Sequence, residues 1–126
     1  MSKKYTITVT EKQAQALQNA CEVAARIGMY QLHEICCFLP QKNKKERVIA
    51  GKIYKQLWDM WLRYLREAGS DDQRPPETVV LWDLYQVIRH RLAWDAHPEG
   101  GIGVQFYEPL KMGDEELAKI EVVDNG

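Results

Sequence analysis

At 126 residues, with 45% hydrophobic and 28% charged side chains, the chain is one domain long and able to bury about two thirds of its unfolded surface, which excludes a disordered or low-complexity protein. The net charge of −1 excludes the overall basicity of a dedicated nucleic-acid binder, yet it hides a division: residues 1–66 carry 12 Lys and Arg against 5 Asp and Glu, and residues 67–126 carry 5 against 13. Opposite charges of +7 and −8 in the two halves suit a chain that pairs with copies of itself.

The opening "KYTITVTEKQ" alternates Tyr5, Ile7 and Val9 with Thr6, Thr8 and Thr10, the period of a half-buried strand. Thr10 followed by Gln13 is a capping-box signature, which starts a helix at Glu11. Leu17, Cys21, Ala24 and Gly28 form a narrow small-residue stripe on it. Gly28 in "RIGMYQL" is expected to break the helix before a shorter segment holding Leu32, Ile35 and Leu39, which Pro40 ends. A basic linker, "QKNKKE", leads to a second long helix from Lys45 to Ala68. Its stripe of Ile49, Ile53, Leu57, Met60 and Tyr64, widened by Tyr54, Trp58, Trp61 and Leu65, is broad enough to bury against two partners.

Gly69 and the loop "GSDDQRPPE" separate this helix from a third, about Glu77 to Ala96. There Val80, Leu81, Leu84, Ile88 and Leu92 share the core face, Trp82, Tyr85, Arg89 and Ala93 form a neighbouring line, and Asp83, Gln86 and His90 lie on the polar side. After "HPEGG", "IGVQFYEP" and "AKIEVV" read as further strands. The expected fold is a single α+β domain over residues 1–126, mainly helical, with three to four helices packed on a small antiparallel sheet built from the N-terminal strand and the C-terminal strands. Its open sheet edges and broad aromatic stripes favour a homo-oligomer, a dimer or larger.

Three cysteines, Cys21 and the adjacent Cys36 and Cys37, make an odd count whose neighbouring pair would be strained if bridged, so reduced thiols are expected. The N-terminus "MSKKYTITVT" has no signal-peptide stretch, and no run approaches the about 20 apolar residues of a membrane span, which together imply a soluble intracellular protein with no membrane partner. Motifs for catalysis are missing: there is no nucleophile elbow, P-loop, zincin helix or dinucleotide fingerprint. His33, Cys36 and Cys37 form one cluster, where a structural zinc site brings two spaced pairs, so no metal and no cofactor are expected.

The chemistry concentrates in "RHRLAWDAHPEGG", residues 89–101. Arg91 and Asp95, spaced i,i+4, make either an internal bridge or part of a ligand wall. Arg89, Arg91 and Trp94 supply guanidinium forks for phosphate and an aromatic face for a planar group, with Arg26 a further lone cation beside the Gly28 break. The stretches "TVTEKQAQALQNACEVAARIGMYQL" and "LWDLYQVIRHRLAWDAHPEGGIGVQFYEPL" resemble two blocks shared by small proteins of tailed bacteriophages, similar in outline to the immune-signal sponges called Thoeris anti-defence protein 1. The resemblance implies a non-catalytic oligomer, acting in the host cytoplasm, that binds and sequesters a cyclic ADP-ribose signal or a cyclic oligonucleotide. By it, Arg26 and Arg89 or Arg91 are candidate phosphate contacts, and Gln31, Trp94 and Phe106 are candidates for gripping the base. Tyr30 stands where the resemblance leads one to expect a small residue.

Two other functions compete with this one. An inhibitor would dock on a host protein through Tyr54, Trp58 and Trp61. A nucleic-acid binder would use the basic stretch Lys42 to Lys55, which the neutral total charge makes the weakest of the three.

Overall fold

Three α-helices and two short 3₁₀ segments make up the regular structure of the computed structural model, which describes residues 3–29, 31–68 and 76–123. Helix α1, Glu11–Gly28, begins with the capping box foreseen: the Thr10 N–H donates to Gln13 Oε1 at 2.9 Å and the Gln13 N–H to Thr10 Oγ1 at 3.2 Å. Helix α2, Lys44–Ala68, has a cap that the sequence reading passed over. The Glu46 N–H donates to Asn43 Oδ1 at 2.8 Å, while the Glu46 carboxylate accepts from the Asn43 amide at 3.1 Å. Helix α3 spans Glu77–Ala96, and 3₁₀ turns cover Leu32–Phe38 and Val104–Phe106. Tyr30 and the loop at 69–75 lie outside the described residues.

The expected α+β fold is overturned, because no strand occurs among the described residues. A strand needs a neighbour for its backbone, and none of the three alternating segments has one. Tyr5 and Ile7 are 83% and 78% exposed, and Val122 and Val123 are each 63% exposed. The segment after α3 instead closes a 3₁₀ turn in which the Phe106 N–H donates to the Gly103 carbonyl and the Tyr107 N–H to that of Val104, with Ile102, Val104 and Tyr107 exposed.

The chain divides into two compact units, Met1–Glu22 with Val80–Gly126, and Val23–Val79. In the second, α2 lies against the 3₁₀ segment Leu32–Phe38. His33 is buried there, its ring edge-on to Trp58 at 4.1 Å and to Tyr54 at 5.3 Å between centroids. Only a narrow ridge of α2 turns inward, through Ala50, Ile53, Leu57, Trp61 and Leu65, while Ile49, Met60 and Tyr64 stay exposed. The broad burial expected of this helix is thus absent from its unit.

Gly28, the last residue of α1, has no room for a side chain. A Cβ there would overlap the side chain of Thr78, which is itself fully buried in the first turn of α3. Gly28→Ala is expected to destabilise the protein by about 1–3 kcal/mol through overpacking, read as a lower urea midpoint at unchanged slope. A midpoint equal to that of the wild type would show that Thr78 yields without cost.

In the other unit α3 is buried on more than its apolar face. Tyr85, Val87 and Ile88 are buried, but so are Asp83 and Gln86, expected on the polar side, whereas Val80 of the expected core face is 42% exposed. The reason lies in the returning chain: Asp83 Oδ1 and Oδ2 accept the N–H groups of Met112 and Gly113 at 2.7 and 2.9 Å. On α1 the inward stripe is Ala14, Cys21 and Ala25, rotated from the one foreseen, with Leu17 43% exposed. Burial pushes the Cys21 thiol pKa up, and that of Cys36 likewise, with the neighbouring Cys37 and Glu34 adding to the rise at Cys36.

Candidate functional site

The segment "RHRLAWDAHPEGG" is a helix end followed by a turn, and two grooves open beside it. The His97 N–H closes the last turn of α3 on the Ala93 carbonyl at 3.0 Å, and the Gly100 N–H returns to the His97 carbonyl at 2.8 Å. Gly100 holds a left-handed φ of +83°, and a Cβ on Gly101 would stand 2.8 Å from the Phe106 ring. The two glycines therefore let the chain fold back so that Trp94 and Phe106 meet edge to face, centroids 5.4 Å apart. The Trp94 indole N–H donates to the Phe106 carbonyl at 3.2 Å and fixes the loop.

Two open grooves flank Phe106. The larger, about 480 Å³, runs between α1 and α3. Its floor is the apolar edge of α3, Leu92, Ala93 and Ala96; its α1 rim carries the amides Gln15, Gln18 and Asn19; Arg89, His97 and Gln105 complete it with Phe106. Among the described residues no carboxylate lines it. The second groove, about 390 Å³, is lined by His90, Arg91, Trp94, Phe106 and Glu108.

The two arginines differ in how their charge is met. Arg91 is gripped by Asp95 through a forked contact, Nη2 to Oδ1 at 2.9 Å and Nε to Oδ2 at 3.2 Å, on a surface where both side chains are about two fifths exposed. The internal bridge therefore forms, although Arg91 still borders a groove. Among the described residues Arg89 meets only neutral groups: Nη1 donates to the Tyr85 hydroxyl at 3.1 Å, Nη2 donates to Gln86 Oε1 at 2.8 Å, and the guanidinium stands 5.1 Å from the centre of the Tyr85 ring. Its Nε is buried and has no hydrogen-bond partner. A half-buried cation whose partners among the described residues are all neutral keeps its charge for an incoming anion to meet.

Of the six residues singled out from the sequence, Arg89, Arg91, Trp94 and Phe106 lie around these two grooves, in the unit formed by Met1–Glu22 with Val80–Gly126. Arg26 and Gln31 belong to the unit Val23–Val79, where the Arg26 guanidinium donates to Gln31 Oε1 at 2.8 Å. Sequence reasoning missed Gln15, Gln18, Asn19 and Gln105. The first three share an α-helical face at i, i+3 and i+4, a spacing that could have flagged them once α1 was assigned. Tyr54 and Trp58, the proposed docking aromatics, are each 40% exposed and carry the edge contacts to His33. Among the described residues no three His, Cys, Asp or Glu side chains group as metal ligands would, and no helix is long and apolar enough to cross a membrane.

No protein-family model, curated protein or solved structure matches the chain.

Proposed function

We propose that the protein binds and sequesters, without altering it, an anionic heterocyclic small molecule of the cyclic-nucleotide type, and so acts in the host cytoplasm as a sink for an antiphage immune signal. The reading rests on Arg89, a half-buried guanidinium that meets no carboxylate among the described residues, on the wall of a groove that no described carboxylate lines. A phosphate supplies the counter-charge that these neutral partners do not, the interaction for which a guanidinium is suited. The amides of Gln15, Gln18, Asn19 and Gln105 offer donors and acceptors to a base edge, and Phe106 offers a ring face. Capture then works by mass action: sites in excess of signal lower its free concentration.

The test is calorimetric titration of the purified protein with a panel of cyclic ADP-ribose isomers and cyclic di- and trinucleotides, followed by heat denaturation and mass analysis of the released ligand. Binding of one of them with its intact return supports the reading. A ligand returned cleaved makes the protein an enzyme, and silence across the panel removes the reading.

A further inference from the structure

The segment before α1 has the composition of a strand and lacks a partner. Tyr5, Ile7 and Val9 alternate with threonines, Tyr5 and Ile7 are almost fully exposed, and no backbone hydrogen bond joins residues 5–9 to any other described residue. Thr10 differs, because α1 occupies both its backbone groups: its N–H goes to Gln13 Oε1 and its carbonyl accepts from the Ala14 N–H.

We propose that this segment pairs with the same segment of a second copy, antiparallel about a two-fold axis through Ile7. The register follows from the residues. With Ile7 opposite itself, Tyr5 faces Val9, Thr6 faces Thr8 and Lys3 faces Glu11 of the other copy. These are an aromatic with a β-branched residue, a threonine pair and an ion pair, each among the favoured cross-strand combinations, and each occurs twice by symmetry. Moving the register by two residues sets Ile7 opposite Tyr5 or Val9 but loses the ion pair, leaving Lys3 opposite Val9 or Glu11 opposite Tyr5. The backbone agrees: with residues 5, 7 and 9 as the hydrogen-bonded pairs, the ladder requires neither group of Thr10. The apolar side chains of both copies fall on one face of the ribbon, closed at each end by a Lys–Glu pair. A two-stranded ribbon is marginal alone, so the two copies' remaining structure must contribute to the contact. The inference is independent of what the groove binds.

The experiment places single cysteines in a Cys37→Ser background, which removes the exposed native thiol. Opposed residues of a hydrogen-bonded antiparallel pair have Cα atoms about 5.5 Å apart, within disulfide reach. Ile7→Cys should therefore give a covalent dimer on mild oxidation. Tyr5→Cys alone should not, whereas Tyr5→Cys chains mixed with Val9→Cys chains should cross-link. In sedimentation the wild-type protein should have the mass of two chains or an even multiple. Ile7→Pro, which removes a ladder donor outside every helix, should lower that mass with unchanged helical circular dichroism. Lys3→Glu should weaken association at least tenfold, and adding Glu11→Lys should restore it. A wild-type mass of one chain, an assembly indifferent to Ile7→Pro, or cross-linking strongest at a position other than 7 overturns the proposal.

Discussion

Replacing Arg89 by methionine is expected to lower the affinity for the tightest cyclic nucleotide between about tenfold and a hundredfold, while the same change at Arg91 costs less than about threefold. The asymmetry comes from how each charge is already met. A hydrogen bond to a charged group contributes about 1.5–3 kcal/mol, and each 1.4 kcal/mol is a factor of about ten in affinity. Arg89 has that interaction to give, since its partners among the described residues are a hydroxyl, an amide and a ring. Arg91 has spent its fork on Asp95. Methionine keeps most of the buried volume at position 89 and removes a poorly compensated charge, so the fold should survive. Titration calorimetry of the three proteins, with circular dichroism as the folding control, reads the outcome directly. Equal losses at the two positions, or undiminished binding by Arg89→Met, would place the anion elsewhere. Asp95→Asn offers the converse: with its counter-charge gone, Arg91 should add to the affinity for an anion in the neighbouring groove.

Asp83→Ala is expected to have the largest effect on stability, about 3 kcal/mol or more. The carboxylate is buried and holds the N–H groups of Met112 and Gly113, residues far along the chain from α3. Alanine leaves both donors without an acceptor, at about 1–3 kcal/mol each. For a chain of this length that corresponds to roughly 10 °C in Tm. The loss should also be local, because the contact pins the returning segment: trypsin should cut after Lys111 faster in Asp83→Ala than in the wild type. Asp83→Asn retains one acceptor oxygen but turns its amide donors toward an N–H, so it should fall between the two. A Tm within about 2 °C of the wild type would mean that water replaces the carboxylate at no cost.

Helix boundaries were legible because local chemistry writes them. Thr10 with Gln13 and Pro40 each act within a few residues, and α1 and α3 run between the limits foreseen. The sheet was misread for the same reason. Alternation at Tyr5, Ile7 and Val9 states a preference for extended backbone, but a strand exists only when a second one lies beside it, and that is not a local property. The buried flank of α3 shows a related limit. Asp83 and Gln86 have polar side chains and so read as solvent-facing, yet one caps a distant turn and the other serves Arg89. Which face of a helix is wet depends on what returns to cover it. In the candidate site, Arg89 and Trp94 were singled out through their chemistry and Phe106 only through the resemblance, whereas the α1 amides were overlooked because glutamine and asparagine on a surface helix look like ordinary solvation until an opposing groove wall is known.

Phe106 stands as a party wall, since its ring borders the groove beside Arg89 and also the one beside Arg91. Any tilt that makes room on one side takes it from the other. Guests in the two compartments would thus be antagonists without ever touching, and the coupling would be reciprocal, each weakening the other by the same factor.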